Sequence, residues 1–483
     1  MMNRLFIFLL LLTVKELPAQ PDFTSIDVFL EQERQRWNIP TIAFGVTNSD
    51  STIYLRAYGD ADPTGTFLIG SISKPFTALA IMQLVEQGQL ELDRPVYTYL
   101  NWFRTRDSAQ SNRITVRHLL NQTGGLPKSA GFYTPLANDQ ADIERGYGDY
   151  LRRITLVNAP GQVHEYCNLN YQVLGQLIGR VSGKLYSNYL RDHILQPLAM
   201  EHTFASPGEI QAAGLRTGHQ YWFGFPVSTP SQLNANGMAA GDIGSTPADL
   251  CIFLRAMLRH GEYGAGNSLV SAATLRQMHT PVSVRYGMGW SIGPWNGLPS
   301  VRHTGLSRNF SGAINLLPEQ GYGIVLLTDA NSFYAARSLM DGVIRRLNGQ
   351  ELVSSPPYEM YIRYFFGVLL LWTLIEFCFH LYRWRHIHFA VNWPRDGKGW
   401  LALAVGLGMA GIWIVIVPRL ANIPLRAMSV LQPDLGYALL IGGVVGMTSS
   451  LVKCFVKNTQ GQPGRAGTIG LVKEKNNKAA DSL

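Results

Sequence analysis

Apolar positions repeat with a helical period at both ends of the first 350 residues and alternate just inside them. Residues 25–37 put Ile26, Phe29, Leu30 and Trp37 on one side of a helix. Residues 41–47 and 52–58 are rich in β-branched and aromatic side chains. Asn48-Ser49-Asp50 separates them, which predicts a hairpin. Residues 87–250 read as largely helical with long loops, marked by turns at Thr123-Gly124-Gly125-Leu126-Pro127 and Ala159-Pro160-Gly161. Ser245-Thr246-Pro247 starts a further helix that runs to Leu258. Strand character returns at 286–292, 300–303, 311–317 and 323–328, and a helix over 331–347 follows. Strands at both ends of a helical block predict an α/β domain, one sheet with helices on its faces.

Beyond residue 360 the pattern changes. Residues 361–382, 399–417 and 436–452 are apolar stretches of about the length that spans a bilayer. Arg383, Arg385, Arg395 and Lys398 follow the first, and Lys453, Lys457, Arg465, Lys473, Lys475 and Lys478 follow the third. Only Arg419 and Arg426 lie between the second and third. By the positive-inside rule the first loop and the tail are cytoplasmic and the 20–350 domain faces outward. The N-terminus agrees: Arg4, an apolar block from Leu5 to Leu12 and Leu17-Pro18-Ala19 read as a signal peptide cleaved near Ala19. The expected organisation is therefore a signal peptide (1–19), a large outward-facing domain (20–350), a linker (351–360), three transmembrane helices (361–456) and a polar cytoplasmic tail (457–483).

The net charge of +8 follows this topology, with many basic residues beside the apolar runs, and does not form a nucleic-acid patch. Of four cysteines, only Cys167 and Cys251 fall in the outer part. No spacing indicates a metal site, no cofactor is implied, and a Cys167–Cys251 bridge stays open.

Candidate chemistry centres on Phe67-Leu68-Ile69-Gly70-Ser71-Ile72-Ser73-Lys74-Pro75-Phe76-Thr77. Ser71 would stand at a helix start, where unpaired N–H groups favour developing negative charge. Lys74, three residues on, shares its face and can take its proton, the minimal activated nucleophile. Ser450-Leu451-Val452-Lys453 repeats the spacing inside an apolar run, so the motif alone decides little.

The order Ser71-x-x-Lys74, Tyr166-x-Asn168, His303-Thr304-Gly305 resembles the penicillin-recognising serine hydrolases (serine peptidase family S12). That family includes class C β-lactamases, D-alanyl-D-alanine carboxypeptidases and D-aminopeptidases. The stretches 118–127, 241–246 and 286–290 match as well, and the resemblance covers residues 25–350. It implies a β-lactamase-like fold, an antiparallel sheet flanked by helices plus an all-helical subdomain. It also implies an acyl-enzyme on Ser71, with Lys74 the leading base, Tyr166 the proton shuttle, and the base assignment open between them. Asn168 would orient Lys74 and bind substrate, and backbone N–H groups of Ser71 and Leu306 would form the oxyanion hole. His303, Thr304, Gly305 and Asn309 would bind substrate. Tyr186-Ser187-Asn188 spells the second motif more literally, but its helical surroundings make Tyr186 a packing residue.

With three apolar stretches appended, the chain resembles a narrower group, the membrane-bound prodrug-activating peptidases of the colibactin-maturation type. Residues 218–227 and 309–311 are similar to theirs, whereas Gly237 and Ser307 stand where that group has a histidine and an asparagine reading D-asparagine. The expected function is cleavage of a peptide or acyl-peptide amide at the outer face of a bacterial inner membrane. A β-lactamase or D-Ala-D-Ala carboxypeptidase and a non-catalytic membrane sensor are the alternatives, and the oligomeric state is open.

Overall fold

The computed structural model describes residues 22–59, 64–136, 139–264, 266–282, 285–350, 356–384, 389–391, 397–420 and 424–458. The expected signal peptide and most of the tail lie outside them. The chain divides into two compact units: Met1–Phe366 with Ile423–Gly436, and Gly367–Asn422 with Tyr437–Leu483.

The first unit is built on a seven-stranded antiparallel sheet. Its strands are β1 (Thr41–Thr47), β2 (Thr52–Gly59), β3 (Tyr286–Gly287), β4 (Trp290–Ile292), β5 (Val301–Leu306), β6 (Ser311–Leu317) and β7 (Tyr322–Thr328), in the order β2-β1-β7-β6-β5-β4-β3. The N-terminal hairpin thus closes onto the C-terminal strands, with Ile42 opposite Thr328 and Val46 opposite Ile324.

Alternation along the strands sorts the core into two layers. Ile42, Phe44, Val46, Ile324 and Leu326 face helices α1 (Phe23–Arg36) and α5 (Ala335–Leu347). Ala43, Ile314, Leu316, Val325 and Leu327 face the opposite layer, which holds α2 (Ser73–Glu86), α3 (Asn168–Ser182) and α4 (Pro247–Leu258). Caps set two of the helix starts. The Asp22 carboxylate accepts from Ser25 N ahead of α1, and the Thr246 hydroxyl accepts from Asp249 N ahead of α4.

Two expectations change. Residues 286–292 are not one strand but two joined by a reversal at Met288-Gly289. Gly289 has φ +85, and a Cβ there would lie 3.0 Å from the Lys74 carbonyl, so the sheet edge turns where it meets α2. Within the helical block a hairpin, Gly218–Trp222 with Phe225–Thr229, turns at Phe223-Gly224 with positive φ at both residues. Cys167 and Cys251 are both buried and unbridged.

Among the described residues three helices are long and apolar enough to cross a membrane: Tyr358–Phe379, Leu403–Leu420 and Pro433–Leu451. In the second unit Gly406 packs on Ser450, and a Cβ at 406 would lie 2.0 Å from that hydroxyl. Phe389–Val391 pairs antiparallel with Val456–Asn458.

Candidate active site

Ser71 sits in a single 3₁₀ turn, Gly70–Ile72, that leads directly into α2. The turn has little freedom. Gly70 has φ +56, and a Cβ on it would fall 2.4 Å from Leu306 N. A Cβ on Gly305 would fall 1.9 Å from the Ile69 carbonyl oxygen. Two glycines therefore let the turn and β5 touch backbone to backbone, with Ser71 and Leu306 side by side in one cleft.

Lys74 is fully buried one turn into α2. Its Nζ lies 2.9 Å from Ser71 Oγ, 2.8 Å from Asn168 Oδ1 and 2.6 Å from the Ala240 carbonyl oxygen. Burial lowers its pKa to about 7, opposed by the nearby Asp242 carboxyl, itself raised by burial to about 7. A neutral amine has two N–H groups and one lone pair. The two carbonyl oxygens take the N–H groups, which leaves the lone pair for the Ser71 hydroxyl.

Tyr166 approaches from the other side and donates to Ser71 Oγ at 2.8 Å. Burial, with the neighbouring Tyr286, raises its phenol well above the ordinary value, so it is a donor at neutral pH. Its ring lies 4.9 Å from Lys74 Nζ. The loop that carries it is held by Gln122, whose Oε1 accepts from Cys167 N at 3.0 Å and from Asn170 Nδ2. Glu165 N donates to the Gln122 carbonyl at 2.8 Å. Within the matching stretch 118–127, this glutamine is thus the residue that fixes the Tyr166 loop. Burial pushes the Cys167 thiol up to about 12, so no thiolate competes with Ser71.

The cleft has a volume of about 540 Å³, and Ser71, Tyr166, Asn168, His303, Thr304, Gly305 and Leu306 all line it. Asn309 is not among them. It is fully buried, and its Nδ2 donates to the Thr229 carbonyl at 2.7 Å and to Ser231 Oγ at 2.8 Å, clasping the 218–229 hairpin. The structure thus places it behind the cleft wall and not with the other expected substrate-binding residues. His303 does line the cleft. Its Nδ1 donates to the Thr304 carbonyl at 2.7 Å, and burial with the Lys74 charge lowers its pKa to about 3. A neutral imidazole offers a hydrogen bond but not a cation for a carboxylate.

Of the two misleading motifs, Tyr186 bonds the Thr77 hydroxyl at 2.7 Å and packs on the core, as its helical surroundings predict. Ser450 lies in the third apolar helix. The cleft also contains residues that no motif marks: His164, Arg285, Ser332, Arg337 and Leu431. Among the described residues no His, Cys, Asp and Glu cluster has the make-up to hold a metal ion.

Comparisons with known proteins bear on the family and the fold. The β-lactamase family model matches residues 29–348. Protein flp of Staphylococcus aureus (strain MW2) is 29% identical over 416 residues, covering 80% of each chain. Penicillin-binding protein 4 of Amycolatopsis lactamdurans is 27% identical over 328 residues, covering 64% of this chain and 85% of that one. The octameric penicillin-binding protein homologue from Pyrococcus abyssi superposes with a TM-score of 0.60 at 25% identity, over 72% of this chain and 81% of that one. A class C β-lactamase gives a TM-score of 0.56 at 19% identity, over 68% and 97%, and speaks to the fold alone. The chain belongs to the β-lactamase and penicillin-binding-protein family of serine hydrolases.

Proposed function

We propose that the protein is a membrane-anchored amidohydrolase that cleaves a peptide or acyl-peptide bond through an acyl-enzyme on Ser71. The observation that carries this reading is the Ser71 hydroxyl held between Lys74 Nζ at 2.9 Å and Tyr166 Oη at 2.8 Å in an open cleft. The Ser71 O–H bond breaks, its proton passes to Lys74 Nζ, and Oγ bonds the substrate carbonyl carbon. The backbone N–H groups of Ser71 and Leu306 receive the oxyanion. The C–N bond then breaks as the leaving amine takes a proton through Tyr166, which regains one from Lys74. Water attacks the ester with the proton transfers reversed, releasing the acid and restoring Ser71. The electrostatics favour Lys74 as base, because its pKa is lowered to about 7 while the Tyr166 phenol stays protonated.

The apolar helices support a substrate that reaches the site from the bilayer surface, and the charge asymmetry of their flanks supports an outward catalytic domain. A D-asparagine reader of the colibactin-maturation type has less support. A Cβ at Gly237 would lie 2.1 Å from Asp242 Oδ2, and Ser307 Oγ accepts from Phe310 N at 3.0 Å within a turn. A second reading, a cell-wall carboxypeptidase, is favoured by Arg285 and Arg337 in the cleft. Arg337 lies 5.8 Å over the Trp295 ring, and both guanidinium groups line the cleft, where they suit a C-terminal carboxylate. Incubating membranes with an N-acyl-D-Asn peptide, an N-acylated L-peptide and a D-Ala-D-Ala peptide separates these readings. The amide reading fails if none is cleaved faster than in membranes carrying Ser71→Ala.

A further inference from the structure

The stretch between the second and third apolar helices reads as a short connection, yet residues 424–436 pack as part of the hydrolase unit. A helix, α6 (Leu425–Leu431), brings Leu431 into the cleft that holds Ser71 and Tyr166, where it is partly exposed. The next residue, Gln432, is buried and donates from Nε2 to Asn331 Oδ1. Asn331 in turn donates from Nδ2 to the carbonyl of Ser307, the residue after Leu306, and from its backbone N to the His219 carbonyl at 2.9 Å.

The anchorage of this stretch is ionic and dry. Asp434 takes both oxygens to Arg363 Nη1 at 2.6 and 2.7 Å and accepts from Phe223 N at 2.9 Å. Arg363 Nη2 also reaches Glu359 Oε1 at 2.7 Å, and Glu359 Oε2 accepts from Ser332 Oγ at 2.6 Å. Arg363 and Asp434 are fully buried. Gln220 Nε2 donates to the Val430 carbonyl at 2.6 Å, so the 218–229 hairpin holds the same segment from a further side. Ser332 lines the cleft, so this network ends at the substrate's edge.

A buried ion pair costs desolvation and is weak evidence for stability. One that joins the first apolar helix, the interspan stretch, the Phe223 turn and the Ser332 loop fixes their register instead. We propose that residues 424–436 form a working wall of the substrate cleft. Leu431 is a specificity residue that meets an apolar group of the acyl donor, and Gln432 is a positioning residue that acts through Asn331 and Ser307 on the Leu306 end of β5. The stretch between the second and third apolar helices then shapes the reaction as well as connecting them. This rests on the acyl-enzyme reading of Ser71.

The test uses full-length protein in membrane vesicles and two fluorophosphonates, one carrying an ethyl and one a decyl chain, with kinact and KI measured for each. In the wild type the decyl probe is favoured. Leu431→Ala and Leu431→Asp lower the decyl-to-ethyl ratio of kinact/KI about tenfold or more, the range for one apolar contact in a pocket. Gln432→Met fills similar space without the hydrogen bond and lowers kinact for both probes with little change in KI. A space-filling role would leave kinact alone. Arg259→Ala, at an exposed position just past α4 and away from the cleft lining, leaves all four constants as in the wild type. Wild type that labels while the Leu431 variants keep its ratio and Gln432→Met keeps its kinact overturns this proposal alone. Wild type that does not label overturns the Ser71 reading and this proposal with it.

Discussion

The protonation state of Lys74 gives the sharpest quantitative expectation. Complete burial lowers its pKa from 10.5 to about 7, and two of its contacts are acceptors that suit the N–H groups of a neutral amine. If the free amine is the base, the acylation rate follows its fraction. With a pKa near 7 that fraction is about one tenth at pH 6, one half at pH 7 and nine tenths at pH 8, a rise of about tenfold and then a plateau. An unperturbed lysine would give a rise of about 100-fold over the same interval, continuing past pH 9. The assay is the pseudo-first-order rate of fluorophosphonate labelling of membranes from pH 5 to 9.5. Asp242→Asn adds a signed check. The Asp242 charge raises the Lys74 pKa, so its removal moves the midpoint to lower pH. A rate that climbs through pH 9.5 without levelling, or a midpoint that moves up in Asp242→Asn, refutes the reasoning.

Further predictions follow from single contacts. Tyr166→Phe removes the donor to Ser71 Oγ and should slow acylation by about 100- to 10,000-fold, the span of general acid–base effects, with labelling kinetics as the readout. Gly70→Ala adds a methyl 2.4 Å from Leu306 N at a φ of +56, and should abolish labelling while circular dichroism shows a folded chain. Asp434→Ala leaves the Arg363 guanidinium buried and unpaired, and should destabilise the hydrolase unit by roughly 3–5 kcal/mol, read as a lower midpoint in detergent thermal unfolding.

The legible parts were those whose signal is local. The 41–47 and 52–58 hairpin, α1 and α4 lie close to where alternation, period and caps put them, because each element's own sequence carries its pattern. Ser71, Lys74, Tyr166 and Asn168 were marked by spacing, and the structure brings their side chains within hydrogen-bond reach of one another. What was missed depends on residues far apart in the chain. Asn309 sits beside the β5 motif, but its partners Thr229 and Ser231 come from a hairpin that the helical reading passed over. His303 sits in the cleft as expected, but its charge state is set by burial and Lys74, which no motif encodes. Leu431 is one more leucine between apolar runs, and only the fold shows that it lines the Ser71 cleft. Arg363, in a stretch read as bilayer-spanning, meets Asp434, 71 positions further along the chain.

The central claim is that Ser71 is the nucleophile, with Lys74 and Tyr166 as its proton partners. Its most direct test is peptide mass spectrometry of full-length protein after brief reaction with a fluorophosphonate at pH 8. The account predicts one adduct, on the Ser71 peptide, absent in Ser71→Ala and strongly reduced in Lys74→Met. An adduct on any other serine, or none in the wild type, contradicts it.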